Sequence, residues 1–509
     1  MPRERIAGVR VHRSWAFASA PVCALIRLVG ALNNCGLAWS VGLTLIVGCG
    51  ETAPSVGNDA GGGGGAAPIT AQAGFVELSP RNVLVHGRAV SLAATSRIFY
   101  NFRPADTDAA TRPLIVLFNG FASDVVRAFG TGPNSVQPDG RVVPNPDSLT
   151  REANLLYLEP RQAGFSYDLL PDRAPNAEDC SQDVFSEYVD AADVLLASLQ
   201  FTKQNSALKG PVYWLGESYA GVRISWIVAY LRQAWALAPY QDETLQGVLA
   251  GVDPDRYASG QILLQPWLVG SAHASAIQAA CQSPALLSAV QATLSSPCTV
   301  SDACACARAN ARSPYDYTVT AQELDARLFA ADAAQVSPEY AEALYGVRFE
   351  SIVGLRGSER SRGFKCSIAD DQTPEQSALR SLLGPLPEGQ SYNLAYSPLT
   401  TGKGSTNPDW RTQSLVGTAF LANAEHVPTF ITDGQHDLVV PEVALAPALR
   451  AISGGVTVDE SPAELQLGYA SGTRALAIRH YAGSGHMVTM TEPRAFATDV
   501  IAWLRERSP

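Results

Sequence analysis

Basic side chains are scarce in this chain of 509 residues, which holds 37 Lys and Arg against 48 Asp and Glu. Five of the arginines fall within residues 1–48 beside a single Glu, so the remainder carries 32 basic and 47 acidic side chains, a net charge of −15. Such a charge repels a phosphate backbone and argues against nucleic acid as a partner. The chain is 46% hydrophobic and 17% charged, which is ordinary for a globular enzyme with a large core.

The N-terminal region lacks an apolar run long enough to span a bilayer. Its uncharged stretch, residues 36–48, holds roughly 13 residues where ~20 are needed. Arginines precede this stretch and Cys49 follows it directly, which indicates a secretory signal at residues 1–48 rather than a transmembrane anchor. Residues 46–49, Ile-Val-Gly-Cys, resemble a bacterial lipobox. We therefore expect export to the bacterial cell envelope and a lipid on Cys49 that attaches the protein to a membrane, at the periplasmic side or at the outer-membrane surface. A signal without lipid, followed by an ordinary cysteine, is the alternative.

Residues 49–73 include five consecutive glycines, 61–65, and cannot bury a core, so they are expected to form a flexible tether. From residue 74 onward, strand patterns at 75–78, 96–100, 114–118 and 155–158 precede a helical pattern at 185–201. This order predicts an α/β fold with a mostly parallel central sheet flanked by helices. The Ala-rich residues 271–405 are expected to form an inserted, largely helical cap between two core segments, 74–270 and 406–509.

Six cysteines follow Cys49, and an even number in an exported protein favours disulfides. Their pairing cannot be deduced from sequence; they are Cys180, Cys281, Cys298, Cys304, Cys306 and Cys366. A zinc site is not expected, because Cys304 and Cys306 lack the two-residue spacing and a partner pair of Cys or His. Nothing in the chain implies a cofactor.

An apolar strand pattern at residues 211–215 runs into Gly216-Glu217-Ser218-Tyr219-Ala220-Gly221, and a helical pattern follows. This layout indicates a nucleophilic serine on a strained strand-to-helix turn. Small residues two positions either side of Ser218 let the turn close, so that its hydroxyl stands clear of the backbone. Ser218 is therefore the predicted nucleophile, and the N–H of Tyr219 is a predicted oxyanion donor.

A serine at this turn needs a histidine base and an orienting acid, which follow it in the order acid, then His. Two late histidines qualify by position, and His486 in a glycine-flanked loop suits the role better than His480 inside a strand pattern. The strand pattern at 427–432 runs into a loop with two candidate acids, Asp433 and Asp437. Spacing alone leaves both acids open.

Four motifs in order resemble the serine carboxypeptidases of the α/β-hydrolase class: Gly216 to Gly221, residues 153–167 with Gly-Phe-Ser-Tyr, the loop 433–437, and the loop 483–488. The resemblance selects Asp437 as the acid and implies an α/β-hydrolase fold. It also implies an enzyme that cleaves C-terminal residues from peptides through an acyl-enzyme. It assigns the second oxyanion donor to the N–H of Phe121. It assigns binding of the substrate's C-terminal carboxylate to Asn119 and Glu217.

The carboxylate-binding region departs from the family pattern at three places. Leu117 stands where an aromatic residue is usual, residues 119–123 read Asn-Gly-Phe-Ala-Ser rather than Asn-Gly-Gly-Pro-Gly, and Gly130 stands where a second Glu is expected. An esterase, lipase or acyltransferase of the same fold is therefore the alternative, because a Ser-His-Asp triad does not choose between ester and amide. A catalytically inactive, surface-displayed binding lipoprotein is the alternative from another class.

Overall fold

An 11-stranded sheet forms the centre of the computed structural model, within the part of the chain that the structure describes. That part comprises residues 68–93, 95–120, 126–161, 163, 165–169, 186–348, 415–452, 456–461 and 464–507. The predicted signal, residues 49–67 of the predicted tether (Cys49 included), Phe121, Cys180 and Cys366 lie outside these ranges. The last residues of the predicted tether, 68–73, are described, and the first strand already begins at Gln72, so the folded region starts slightly earlier than residue 74. None of the helices within them is long and apolar enough to cross a membrane.

The strands are β1 Gln72–Leu78, β2 Arg81–Val85, β3 Arg88–Leu92, β4 Thr95–Arg103, β5 Leu114–Phe118, β6 Asn134–Val136, β7 Val142–Pro144, β8 Asn154–Leu158, β9 Tyr167–Leu169, β10 Val212–Glu217, β11 Tyr240–Gln241, β12 Gly260–Leu264, β13 Thr429–Gly434, β14 Thr457–Glu460, β15 Glu464–Tyr469 and β16 Gly472–Tyr481. The α-helices of the described residues are α1 Glu187–Gln204, α2 Ala220–Leu231, α3 Glu243–Leu249, α4 Pro254–Tyr257, α5 Gly270–Cys281, α6 Pro284–Ala292, α7 Ala303–Ala309, α8 Ala321–Val336, α9 Pro338–Tyr345, α10 Val416–Ala424, α11 Leu445–Ile452, α12 Val488–Thr491 and α13 Pro493–Arg505.

The middle of the main sheet is parallel, in the order β8-β5-β10-β12-β13-β16. Every residue of β5, β8, β10, β12 and β13 is buried, as expected for strands covered on both faces. Alternation along β5 directs Leu114 and Val116 into a core shared with α1 and α2, and Ile115 into a core shared with α13. The expected parallel sheet with helical layers is confirmed for this region.

Both edges of the main sheet are antiparallel. β4 pairs antiparallel with β1, β8 and β9 at one edge, and β14, β15 and β16 form a meander at the other. Along β15 only Leu465 and Leu467 are buried, so this strand has one solvated face. The sequence patterns predicted strands here without distinguishing the edges, because strand direction depends on pairing between distant segments.

A helical insertion separates β12 from β13 and begins with α5 to α9. Two disulfides, Cys281–Cys304 and Cys298–Cys306, join its first helices. The prediction of disulfides is thus confirmed for four cysteines. Cys304 and Cys306 each form a disulfide with another cysteine and are therefore not free to bind zinc. The cap limits at 271 and 405 stay predictions, since residues 349–414 lie outside the described ranges.

A buried ion-pair network ties helix α1 to the strands beside it. Asp193 on α1 accepts from Arg81 Nη2 and from Arg161 Nε, each at 2.6 Å. Arg81 Nε also lies 2.8 Å from Asp242 Oδ2, and these side chains are at most 4% exposed. Burial opposes ionisation of Asp193, but the two arginines outweigh it and lower the pKa of this carboxyl. The network therefore depends on Asp193 remaining charged.

Candidate active site

Ser218 occupies the turn between β10 and α2 with a φ of 60°, a value that non-glycine residues rarely adopt. The turn is held by hydrogen bonds: Ser218 N donates to Leu264 O at 2.8 Å, and Trp267 N donates to Ser218 O at 3.1 Å. The side chain is partly exposed, while its neighbours Glu217 and Tyr219 are buried. This strained conformation presents a serine hydroxyl at the carboxyl end of a central strand, as the motif predicts.

Asp437 and His486 form a buried pair. His486 Nδ1 lies 2.6 Å from Asp437 Oδ2, and both residues are at most 2% exposed. The other oxygen of Asp437 accepts from Val439 N at 2.6 Å and from Val440 N at 3.1 Å. With both oxygens occupied, Asp437 holds the imidazole so that Nδ1 carries a proton and Nε2 is free to accept one. Burial disfavours a charged His486, but the charge and hydrogen bond of Asp437 outweigh this, together with the charge of Glu217, and raise the pKa of His486.

The contact between Ser218 and His486 is not formed in this structure. His486 Nε2 is buried and makes no hydrogen bond to any of the residues that the structure describes. Gln265, directly after β12, lies between the histidine loop and β13: with its amide oriented to satisfy both groups, it donates to His486 O and accepts from Gly434 N, each at 3.0 Å. Hydrogen bonds of catalytic groups often tighten only when substrate binds. Asp437 thus orients the base while its contact with the serine is not yet made.

The rival candidates from the sequence, Asp433 and His480, are neighbours on adjacent strands of the main sheet. They are paired across β13 and β16 in the parallel register, and His480 Nδ1 lies 2.7 Å from Glu442 Oε1. Burial raises the pKa of Asp433 to about 8, only partly offset by His480, so that this carboxyl is protonated in the folded protein at neutral pH. The structure therefore brings Asp437, and not Asp433, to His486.

Asn119 and Glu217 lie side by side next to the serine. Asn119 Nδ2 donates to Glu217 Oε1 at 3.4 Å, and Asn119 Oδ1 accepts from Val126 N at 3.0 Å. Glu217 is 4% exposed, and its Oε2 has no hydrogen-bond partner among the described residues. Burial raises the pKa of Glu217 to about 7; the charge of His486 acts to lower this pKa, and the charge of Asp437 acts to raise it. A carboxyl that ionises near neutrality can act as a donor toward another carboxylate below that pH.

Gly120 allows the loop after β5 to lie directly over the serine turn. A Cβ at this position would lie 2.8 Å from both Glu217 O and Tyr219 N, closer than real Cβ atoms come. The backbone around Tyr219 N–H, the predicted oxyanion donor, is therefore accessible to this loop only because residue 120 is glycine. Phe121, the other predicted donor, lies outside the described residues, so both oxyanion roles stay predictions.

Arg223 on α2, a residue that the sequence did not single out, links helix α1 to the loop after β5. Arg223 on α2 is fully buried and lies 2.7 Å from Asp190 Oδ2 through its Nε. Its Nη1 donates to Asn119 O, also at 2.7 Å. A buried arginine thus connects the nucleophile helix to the backbone of the predicted carboxylate reader. No local pattern reveals it, because its partners are 33 and 104 residues away.

Gly130 cannot host the second glutamate of the family pattern in this backbone conformation. Its φ is 71°, and a Cβ would lie 2.6 Å from Thr489 O and 2.8 Å from Pro493 Cβ. Any side chain at this position would therefore collide with the segment that follows His486. The departure noted in the sequence thus has a structural reason, and of the predicted carboxylate-binding residues Asn119 and Glu217 remain.

The parallel sheet, the strained serine turn and the buried acid–histidine pair at the carboxyl ends of its strands define an α/β-hydrolase. A family model described as serine carboxypeptidase matches residues 68–341. Because this match covers more than half of the chain, the protein belongs to the serine carboxypeptidase family. The matched region includes Ser218, Glu217 and Asn119 and ends before Asp437 and His486.

Two relatives from Arabidopsis thaliana share parts of the sequence. Serine carboxypeptidase-like 38 is 33% identical over 143 residues, 26% of this chain and 28% of the relative. Serine carboxypeptidase-like 45 is 34% identical over 131 residues, 24% of this chain and 26% of the relative. The chain thus matches little more than a quarter of the length of these relatives.

Among solved structures, the chain is similar to Kex1(delta)p, a prohormone-processing carboxypeptidase from Saccharomyces cerevisiae. The identity is 13% and the TM-score 0.45, with 86% of this chain and 91% of that one covered. A thermophilic esterase from Thermogutta terrifontis matches with 12% identity and a TM-score of 0.34, covering 85% and 100% of the two chains. Scores this low carry no argument about activity.

Proposed function

We propose that this protein is a serine-type carboxypeptidase that releases C-terminal residues from peptides through an acyl-enzyme. The observation that carries the proposal is the buried Glu217, with a pKa near neutrality and Asn119 beside it, directly preceding a serine on a strained turn. Family membership and the Asp437–His486 pair support it. A nucleophile alone fits any acyl transfer, whereas a protonated carboxyl beside it suits substrates that end in a carboxylate.

The proposed reaction begins when Ser218 Oγ attacks the carbonyl carbon of the last peptide bond and His486 Nε2 takes its proton. Asp437 stabilises the imidazolium, and the N–H of Tyr219 donates to the oxyanion. His486 then gives the proton to the leaving amine, and the C-terminal amino acid departs. A water molecule, deprotonated by His486, attacks the acyl-enzyme and restores Ser218. Until the amino acid departs, Asn119 and protonated Glu217 donate to the free carboxylate that it carries.

Turnover of an N-blocked dipeptide is expected to fall on the alkaline side of neutrality, whereas turnover of its methyl ester is not. The pKa of Glu217 is raised to about 7, so its protonated form predominates below that pH and declines about tenfold per unit above it. The dipeptide, which needs the protonated carboxyl, should show KM rising with pH. The methyl ester lacks the carboxylate and should not. Steady-state kinetics from pH 5 to 9 measure both.

Glu217→Gln should remove this alkaline rise in KM, because an amide donates a hydrogen bond at every pH. The matched control is Glu243→Gln, an exposed glutamate at the start of α3, which should behave as wild type. If the dipeptide and its ester share one pH dependence in wild type, Glu217 does not read the carboxylate. If only the ester is hydrolysed, the protein is an esterase. This is the second candidate, because Gly130 leaves no room for the second glutamate that would bind a substrate carboxylate.

We also propose that the protein is exported and lipid-anchored through Cys49, on the strength of the short apolar run and the lipobox-like residues before it. In a bacterial host, metabolic labelling with a radioactive fatty acid should label the wild type and not Cys49→Ser. Cys35→Ser, a change inside the predicted signal, serves as the control and should be labelled as wild type. Equal labelling of the Cys49→Ser variant would contradict the proposal.

A further inference from the structure

A short segment of the helical insertion, residues 313–317, contacts both loops that carry the acid and the histidine. We call it the cap strap. Tyr315 O accepts from His486 N at 2.5 Å, and Pro314 O accepts from Leu438 N at 2.9 Å. These backbone bonds reach the histidine itself and the residue directly after Asp437. A single piece of the insertion thus lies against both members of the buried pair.

The contact is reinforced on the side of the acid loop. Tyr317 N donates to His436 O at 3.1 Å, and the rings of these two residues lie 5.2 Å apart. Asp316 Oδ1 is 3.8 Å from His436 Nδ1. The acid loop is in turn bonded to the histidine loop, because His436 N donates to Ser484 O at 2.8 Å. The cap strap is therefore hydrogen-bonded to the acid loop and to the histidine loop, and these two loops are also hydrogen-bonded to each other.

The disulfide-bonded helices support the strap from behind. Tyr317 and Leu438 pack in one hydrophobic cluster with all four bonded cysteines, in which Cys281, Cys304 and Cys306 are buried. Arg312, directly before the strap, donates from Nη1 to Thr318 O at 2.9 Å and from Nη2 to Thr293 O at 2.6 Å. One guanidinium thus closes the loop on itself and ties it to the end of α6. The strap is built on a cross-linked base rather than on a free loop.

We propose that the cap strap is a positioning element of the catalytic machinery, which keeps Asp437 and His486 in contact through backbone hydrogen bonds to both loops. The inference rests on the proposed function, since it presupposes that His486 activates Ser218. Arg312 is then a positioning residue: it touches neither substrate nor triad, and it acts through the strap. The core supplies the three side chains, and the insertion holds two of them in place.

Arg312→Gln tests the proposal, because it removes the two guanidinium hydrogen bonds and keeps the backbone. The readout is the rate at which a fluorophosphonate probe labels Ser218, normalised to the folded fraction measured by circular dichroism. We expect labelling to slow at least fivefold. The groups whose charges act on His486 are Asp437 and Glu217. A looser Asp437 contact should therefore move the acid limb of the labelling rate to lower pH, since the pKa of His486 falls back toward its ordinary value.

A matched control is Arg308→Gln, an exposed arginine in the last turn of α7, four residues before Arg312. It should label at the wild-type rate. In an Asp437→Asn background, Arg312→Gln should slow labelling much less than in wild type, because the contact it protects is already lost. If Arg312→Gln does not fold, Asp316→Ala is the second variant. It removes the strap carboxylate that accepts from Thr318 N and is likewise expected to slow labelling.

Two results would overturn the inference and leave the proposed function intact. One is that the Arg312→Gln variant is labelled at the wild-type rate. The other is that Arg312→Gln slows labelling equally in the wild-type and in the Asp437→Asn background, while the acid limb of the pH profile stays unchanged. A folded wild-type protein that the probe does not label would overturn the proposed function and this inference with it. Labelling of Ser218 does not depend on a peptide substrate, so failure of the carboxypeptidase assignment alone leaves the result readable.

Discussion

Asp437→Asn is expected to lower kcat by about 10⁴-fold, with the fold and KM little changed. The carboxylate of Asp437 accepts from His486 Nδ1 at 2.6 Å and receives two backbone N–H groups on its other oxygen. An asparagine side chain can turn its NH₂ toward Nδ1, which forces the imidazole into the tautomer with a protonated Nε2. A protonated Nε2 cannot accept the proton of Ser218. The loss should appear equally in single-turnover acylation and in fluorophosphonate labelling.

The matched control is Asp433→Asn, a change of the same type four residues earlier, near the end of β13. Burial raises the pKa of Asp433 to about 8, so the folded protein holds it protonated at pH 7, and asparagine replaces the neutral acid with little change in charge or size. Activity within a few fold of wild type is expected. If Asp433→Asn were the inactive variant and Asp437→Asn the active one, the assignment of the catalytic acid would be wrong.

The largest expected loss of stability follows from Asp193→Asn. Asp193 accepts from Arg81 and Arg161 at 2.6 Å, and all three side chains are nearly inaccessible to water. The change keeps the volume of the side chain and removes the only charge in it, so two buried guanidinium groups lose a neutralising partner. Removing one partner of a buried pair typically costs ~3–5 kcal/mol in the free energy of unfolding. Denaturant unfolding followed by fluorescence measures it.

The pH dependence gives this prediction a second signature. The pKa of Asp193 is lowered in the folded protein, so its contribution to stability is present above its ordinary pKa of 3.8 and is lost as the pH falls through the folded value. The difference between wild type and Asp193→Asn should therefore shrink in acid. Asp139→Ala removes an exposed ion pair of the same length, 2.6 Å to Arg141, and should leave the unfolding midpoint unchanged. An equal effect of both changes would refute the role of burial.

The strands and helices that carry the site were predictable from local patterns. The strand patterns at 114–118 and 155–158 correspond to β5 and β8, and the helical pattern at 185–201 corresponds to α1, Glu187–Gln204. Apolar strand runs and the helical spacing of apolar residues are set by neighbouring residues, so a single sequence contains them, whereas the burial of α1 on all sides is set by its packing. Strand direction at the sheet edges, and the residues Arg223 and Gln265, were not predictable, since each depends on partners far away in the chain.

The amino-acid sequence by itself determined the nucleophile turn, because the glycines, the preceding apolar strand and the strained serine lie within a few consecutive residues. Spacing alone left two acids open, the local pattern favoured His486 over His480, and the family resemblance then pointed to Asp437. Only the tertiary structure showed that Asp437 contacts His486 while Asp433 lies beside His480 in the sheet, because a hydrogen bond between side chains 49 residues apart depends on how β13, β16 and the cap strap pack together. Contacts of that range are a property of the folded chain, and no local pattern contains them.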